Sequence, residues 1–185
     1  MKNSFIIGKK IYLRPIVKKD LNENYKNWFN DADVCMFNSH HRFPNYNEDM
    51  LYYYKKVIKT RNNLILAIID KKTDSHVGNI SLQNINYIDK AAELAVIIGD
   101  KKFWGKGIGK EAGNLILKHG FNDLNLHRIS CGTSKENKGM QGLAGSLGFK
   151  REGVLREALY KNGRYNDIIN YGLLKKEYEK KGFGR

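Results

Sequence analysis

Three glycines at alternate positions, Gly105, Gly107 and Gly109, lie between an apolar run and a helical stripe, within Phe103-Trp104-Gly105-Lys106-Gly107-Ile108-Gly109-Lys110. The chemistry open to such a segment is anion binding. A strand that ends in a glycine turn and opens a helix aims several main-chain N–H groups, and the positive end of the helix dipole, at one point that suits a phosphate. Spacing narrows the ligand. A P-loop needs glycine five residues before the Gly-Lys pair and Ser or Thr after it, where Gly109-Lys110 has Trp104 and Glu111. A dinucleotide fingerprint needs glycine where Lys110 stands, and a βαβ unit where the preceding strands read as antiparallel. Lys101, Lys102, Lys106 and Lys110 surround the loop. Singly each reads as a solvated lysine; as a group they suit a polyanion. The other reactive side chains carry less. Cys35 and Cys131 show no CxxC spacing and no nucleophile signature, so they read as small buried hydrophobes of a reduced chain. His40-His41 has no third ligand spaced with it, so no metal site is expected.

The elements that must hold this loop are read from periodicity. Residues 11–16 alternate as a first strand, and Asp20 is placed as the N-cap of a helix carrying Tyr25, Trp28 and Phe29. Residues 38–47 read as a polar loop and 48–60 as a helix with Leu51, Tyr54, Val57 and Ile58 on one stripe. Runs 64–69, 77–85 and 92–98 are strands whose short connections predict antiparallel pairing. The glycine loop follows, then a helix with Ile108, Ala112, Leu115, Ile116 and His119 on one face. Residues 127–133 predict a strand, and 137–147 a helix that Gly148 closes. Residues 154–159 and 165–174 flank Asn162-Gly163, a strong hairpin signal, and 175–185 read as a charged tail. The fold class expected is mixed α/β (α+β), one domain over 1–185 with a mostly antiparallel sheet.

These residues resemble the GCN5-related N-acetyltransferase (GNAT) superfamily. Gly107 and Gly109 match the glycines of its Gln/Arg-x-x-Gly-x-Gly/Ala loop, with Trp104 where Gln or Arg is usual. Asn137 precedes Leu147-Gly148-Phe149 as in the family's second block. Leu13-Arg14-Pro15, Glu152-Gly153-Val154-Leu155-Arg156-Glu157 and Gly163-Arg164-Tyr165-Asn166-Asp167 resemble the branch typified by ribosomal-protein alanine acetyltransferases. The resemblance covers residues 9–178. It implies a sheet with one splayed strand pair, helices on both faces, and acetyl-CoA as cosubstrate.

By the same resemblance, Trp104, Gly105, Lys106, Gly107, Ile108, Gly109 and Lys110 hold the CoA pyrophosphate on main-chain N–H groups. Ile98 pairs with the pantetheine arm and supplies the oxyanion donor. Asn137 hydrogen-bonds the arm; read on its own, it is a helix N-cap. Glu93 takes the proton of the amine through water; read on its own, it is an exposed strand carboxylate. A base is needed because an amine of pKa ~10 is mostly protonated at neutral pH. The acceptor is held by residues 22–47 and 159–166, with Trp28, His40, His41 and Tyr160 as contacts. Two positions depart from the family. Ala144 stands where many relatives carry a general-acid Tyr, and Met140 where the ribosomal branch has Ser. A water or Tyr160 is left to protonate the thiolate, which at pKa ~8.5 is a tolerable leaving group without one.

Composition bounds the rest. With 33 Lys and Arg against 19 Asp and Glu, the 185-residue chain carries +14. That charge alone allows a basic nucleic-acid module, but no nucleic-acid motif appears and the lysines are spread along the chain. A CoA-binding relative without catalysis is the other alternative. No apolar run approaches the ~20 residues of a membrane helix, and no signal-peptide pattern opens the chain, so no membrane partner and a cytoplasmic location are expected. The partners expected are acetyl-CoA and a primary amine, on a protein N-terminus or a small molecule such as an amino sugar nucleotide. Like-charge repulsion argues against a polyamine. A homodimer is left open.

Overall fold

A computed structural model describes residues 3–56 and 60–180. Its frame is one eight-stranded sheet in the order β1-β2-β3-β4-β5-β6-β8-β7. The strands are β1 (Ile6–Ile7), β2 (Ile11–Pro15), β3 (Leu64–Asp70), β4 (His76–Asn86), β5 (Ala91–Ile98), β6 (Arg128–Ser134), β7 (Lys150–Lys161) and β8 (Arg164–Leu174). The helices are α1 (Glu23–Asn30), α2 (Asn47–Lys56), α3 (Ile108–Lys118), α4 (Lys138–Leu147) and α5 (Lys175–Lys180). Neighbouring strands are antiparallel except β5 and β6, which are parallel. Short turns join β1 to β2, β3 to β4, β4 to β5 and β7 to β8, all antiparallel, while α3 carries the chain across between the parallel β5 and β6.

Side-chain alternation sends alternate residues to the two faces. Leu66 and Ile68 of β3 join Ile108, Ala112, Ile116 and Leu147 of α3 and α4 in one core. Ile65, Ala67 and Ile69 face the other way, with Tyr53 and Tyr54 of α2 against them. A third cluster, Tyr25, Trp28, Phe29 and Met50, sets α1 and α2 beside Ile97. Helices therefore cover both faces. β3 is apolar almost throughout because both its sides are buried.

Most of the predicted elements are present, with shifts of a few residues at their ends. The Asn162-Gly163 turn has both residues at positive φ, 53° and 77°, as a type I′ hairpin needs. Residues 57–59, the end of the predicted 48–60 helix, lie outside the described residues. Three readings change. Asn22, not Asp20, caps α1, its Oδ1 accepting from the Tyr25 N–H at 3.1 Å. Asp20 instead closes a 3-10 turn and is buried against Arg14, with contacts of 2.6 and 2.7 Å. The start of the charged tail is helix α5, because Tyr178 is apolar enough to bury itself against Phe121, ring centroids 4.9 Å apart. The two-residue β1 was too short to show a period.

Candidate active site

The site begins where β5 and β6 part. Their parallel register holds only over Ala91, Ala92 and Glu93, opposite Arg128, Ile129 and Ser130. β5 continues to Ile98 and β6 to Ser134 without further pairing to each other. On its other side β5 stays paired with β4 up to Gly78 opposite Ile98. The Gly99 N–H donates to Val77 at 3.0 Å, which sets the phase of that ladder. Alternate residues of an antiparallel pair turn their main-chain groups to the same side, so Val96 and Ile98 direct theirs away from β4, into the fork. An extended ligand with amide groups can pair with such an edge.

At the end of β5 the chain turns through a 3-10 segment, Lys101–Phe103, capped by Asp100, whose Oδ1 accepts from the Lys102 N–H at 3.0 Å. Gly105 and Gly107 follow with φ of 71° and 80°. No side chain would meet a Cβ at either place, so glycine is required there by backbone conformation alone. Gly107 is the N-cap of α3, and the first helical bond runs from the Glu111 N–H to its carbonyl at 3.0 Å. The N–H groups of Ile108, Gly109 and Lys110 are thus unused within the helix and face the exposed loop. The Glu111 carboxylate accepts from the Lys10 N–H at 2.8 Å and ties the first turn of α3 to the start of β2. These groups fit a pyrophosphate followed by an amide-bearing arm: donors at a helix start, then a free strand edge. Of the surrounding lysines, Lys101 is turned elsewhere, pairing with Asp31 at 2.8 Å and Asp33 at 2.9 Å. Lys106 stands 5.6 Å over the Phe103 ring.

Glu93 is exposed, at the last paired position before the fork. It lines an open cleft of about 380 Å³ with Ser130, Gly132 and Asn170, floored by the Arg128–Glu152 ion pair. Its charge and, more strongly, burial push the Cys131 thiol up to about 12, so Cys131 does not supply a thiolate at neutral pH. Burial also raises Cys35. Asn137 caps α4, its Oδ1 accepting from the Met140 N–H at 3.0 Å, at the end of β6.

The residues expected to hold the acceptor sit mainly on α1 and in the loop after it. Trp28 is 7% exposed and lies over Gly99, where a Cβ would fall 1.9 Å from the indole. Beneath it, His76 Nε2 meets Asn79 Oδ1 at 2.8 Å, and the Asn79 amide donates to the Tyr25 hydroxyl at 3.1 Å. His40 packs edge-on to Phe29, centroids 4.8 Å apart; His41 is exposed. Burial against that ring, then the Lys161 charge, lowers the His40 pKa, although solvent reaches its outer edge. Two bonds sequence reading missed close the loop onto the β7–β8 tip: Lys161 Nζ donates to the His40 carbonyl at 2.5 Å, and Arg42 to the Tyr160 carbonyl at 3.0 Å. Lys161 is only 8% exposed, and no carboxylate pairs with it among the described residues. Nothing in its local sequence signals this.

The comparisons with known proteins agree with this geometry. Residues 10–150 match the model of the acetyltransferase (GNAT) domain. The chain belongs to that family of N-acetyltransferases, whose cosubstrate is acetyl-CoA. It is 37% identical over 112 residues to the uncharacterized N-acetyltransferase p20 of Bacillus licheniformis, covering 60% of this chain and 62% of that one. It is 35% identical over 102 residues to the putative ribosomal N-acetyltransferase YdaF of Bacillus subtilis, covering 55% of each. The chain thus matches 55–62% of the length of these curated relatives, less than two thirds. Among solved structures, the spermidine N-acetyltransferase of Vibrio cholerae in complex with CoA and spermine superposes with a TM-score of 0.84 at 27% identity, over 92% of this chain and 98% of that one. Among the described residues no helix is long and apolar enough to cross a membrane.

Proposed function

We propose that this chain transfers the acetyl group of acetyl-CoA to a primary amine by direct attack, with both substrates bound together. The observation that carries the reading is the fork: Glu93 stands at its root, and the free edge of Val96 and Ile98 leads from it to the glycine loop. Gly105 to Lys110 offer their N–H groups to the pyrophosphate. Asn137, across the fork, offers its side-chain amide to the arm. The acetyl-CoA thioester supplies the acyl group. Glu93 accepts the ammonium proton through a water in the cleft and releases the lone pair for attack. The Ile98 N–H stabilises the carbonyl oxygen as it gains charge, and the thiolate leaves, protonated by water or by Tyr160.

The acceptor is a primary amine on a neutral or anionic carrier: a protein N-terminus or an amino sugar nucleotide. Residues 38–46 and 159–166, which meet at the acceptor side, hold no Asp or Glu, but carry Arg42, Lys161, Arg164, His40 and His41. Arg164 pairs with Glu136 at 2.6 Å, but among the described residues Arg42 and Lys161 bond only carbonyl oxygens and would repel a polycation. The spermine complex of the Vibrio cholerae relative favours a polyamine instead, and one experiment separates the two. The free, buried Cys35 and Cys131 suit a reducing compartment, the cytoplasm.

The test is thiol release from acetyl-CoA with N-terminal peptides, an amino sugar nucleotide, spermidine and spermine. Turnover with a peptide or the sugar is expected; turnover with polyamines alone would replace the acceptor reading, and none with any amine would remove the function. Glu93→Gln is expected to lower kcat about 100-fold at neutral pH with CoA affinity retained. An unchanged rate would take Glu93 out of the mechanism.

A further inference from the structure

The two tryptophans of the chain meet the same short stretch of backbone, Ile98-Gly99. Trp28 covers Gly99 from the acceptor side. Trp104 reaches back six residues, and its indole N–H donates to the Ile98 carbonyl at 2.7 Å. That carbonyl points into the fork, where β6 has already turned away, so no strand supplies its donor. Between the two rings the backbone is held by the Phe103 N–H on Asp100 at 3.0 Å and the Trp104 N–H on Lys101 at 3.1 Å. Trp104 is nevertheless 45% exposed, so hydrophobic burial alone does not account for its place.

We propose that Trp104 is a positioning residue for acetyl-CoA: its indole N–H closes residues 98–104 into a ring and so holds the following N–H groups in their binding arrangement before the cofactor arrives. The inference rests on the acetyl-CoA reading above. Its physical basis is preorganisation. The turn must order for its N–H groups to converge, and a bond already made in the free protein removes that cost from binding. The indole also ends the free edge of β5, because it takes the Ile98 carbonyl and leaves the Ile98 N–H and the Val96 groups to the arm. Trp104 thereby acts through the main chain and not as a ligand itself.

Trp104→Phe keeps a ring and removes the donor. One neutral hydrogen bond corresponds to a few-fold to about tenfold in affinity. Calorimetric titration with CoA is expected to show Kd raised by that factor, the KM for acetyl-CoA raised in step, and kcat and the acceptor KM within about twofold of wild type. The melting temperature should hold, since the bond spans an exposed loop. Wild-type Kd in the variant, or tighter binding as for a ring that blocks the arm, would overturn the proposal. So would a fall in melting temperature together with kcat, which marks a general structural role. Wild-type protein that fails to bind CoA would remove the function reading and this inference together; wild-type protein that binds CoA, with no loss of affinity in Trp104→Phe, removes this inference alone.

Discussion

The cofactor side and the acceptor side of this molecule are built in different ways. From Val96 to Lys110 the groups offered to a ligand are main-chain N–H and C=O, aimed by a strand register, two positive φ angles and a helix start. The acceptor side, from α1 through loop 38–46 to the β7–β8 tip, is assembled from side chains: a buried Arg14–Asp20 pair, the His76–Asn79–Tyr25 chain of hydrogen bonds, and two cations on carbonyls. The first arrangement withstands change in the side chains that project from it but not in backbone conformation. The second depends on each side chain in turn. A scaffold of this kind can keep one cosubstrate while its acceptor changes.

The largest break in that contrast lies under the acceptor side. Burial works against ionisation of Asp20, yet the Arg14 guanidinium and the Val17 N–H outweigh it and hold the carboxyl below its usual range. Arg14→Met leaves that carboxylate buried and unpaired, and is expected to cost about 3–5 kcal/mol in urea or thermal unfolding. Because the folded pKa is depressed, the Asp20 contribution is complete above the unfolded value of ~3.9 and is lost as pH falls through the folded one. Asp20→Asn should flatten that acid limb of the stability profile. An unaltered limb would show that other carboxylates set it.

Gly99→Ala tests the border between the two sides. Its Cβ would land on the Trp28 indole, 1.9 Å from Cδ2, so α1 or the loop must shift. Overpacking of this kind costs about 1–3 kcal/mol. Both CoA affinity and acceptor KM should suffer, and a defect in only one would show that the two sides move independently there.

The smallest effects should separate the sides most cleanly. Gly107→Ala forces a side chain to φ of 80° at an open position and is expected to weaken CoA binding about tenfold with acceptor KM unchanged. Lys161→Met frees the His40 carbonyl and should raise the acceptor KM a few-fold with CoA affinity unchanged. Crossed effects, with either variant moving the other parameter, would dissolve the contrast between main-chain and side-chain construction.

The glycine loop, the helix caps at Asn137 and Gly148, the Asn162-Gly163 hairpin and the antiparallel run of strands were all legible in the sequence. Each is set within about five residues by φ preferences, capping groups or a period of two, so local sequence carries it. The loop as an anion site follows from the same local signals, whereas Glu93 and Ile98 on β5 are singled out only by the family resemblance. Asp20 was misplaced because an Asp before a helix satisfies the capping pattern equally well whether or not an arginine six residues earlier claims it. What tertiary structure decided is which distant groups meet. Lys101 is drawn to Asp33, 68 residues away, and Lys161 to the His40 carbonyl, 121 residues away. The fork is a tertiary feature too: β5 and β6 pair only over Ala91 to Glu93 and then part. Strand order and helix docking bring such groups together, and no short-range preference of the chain records them.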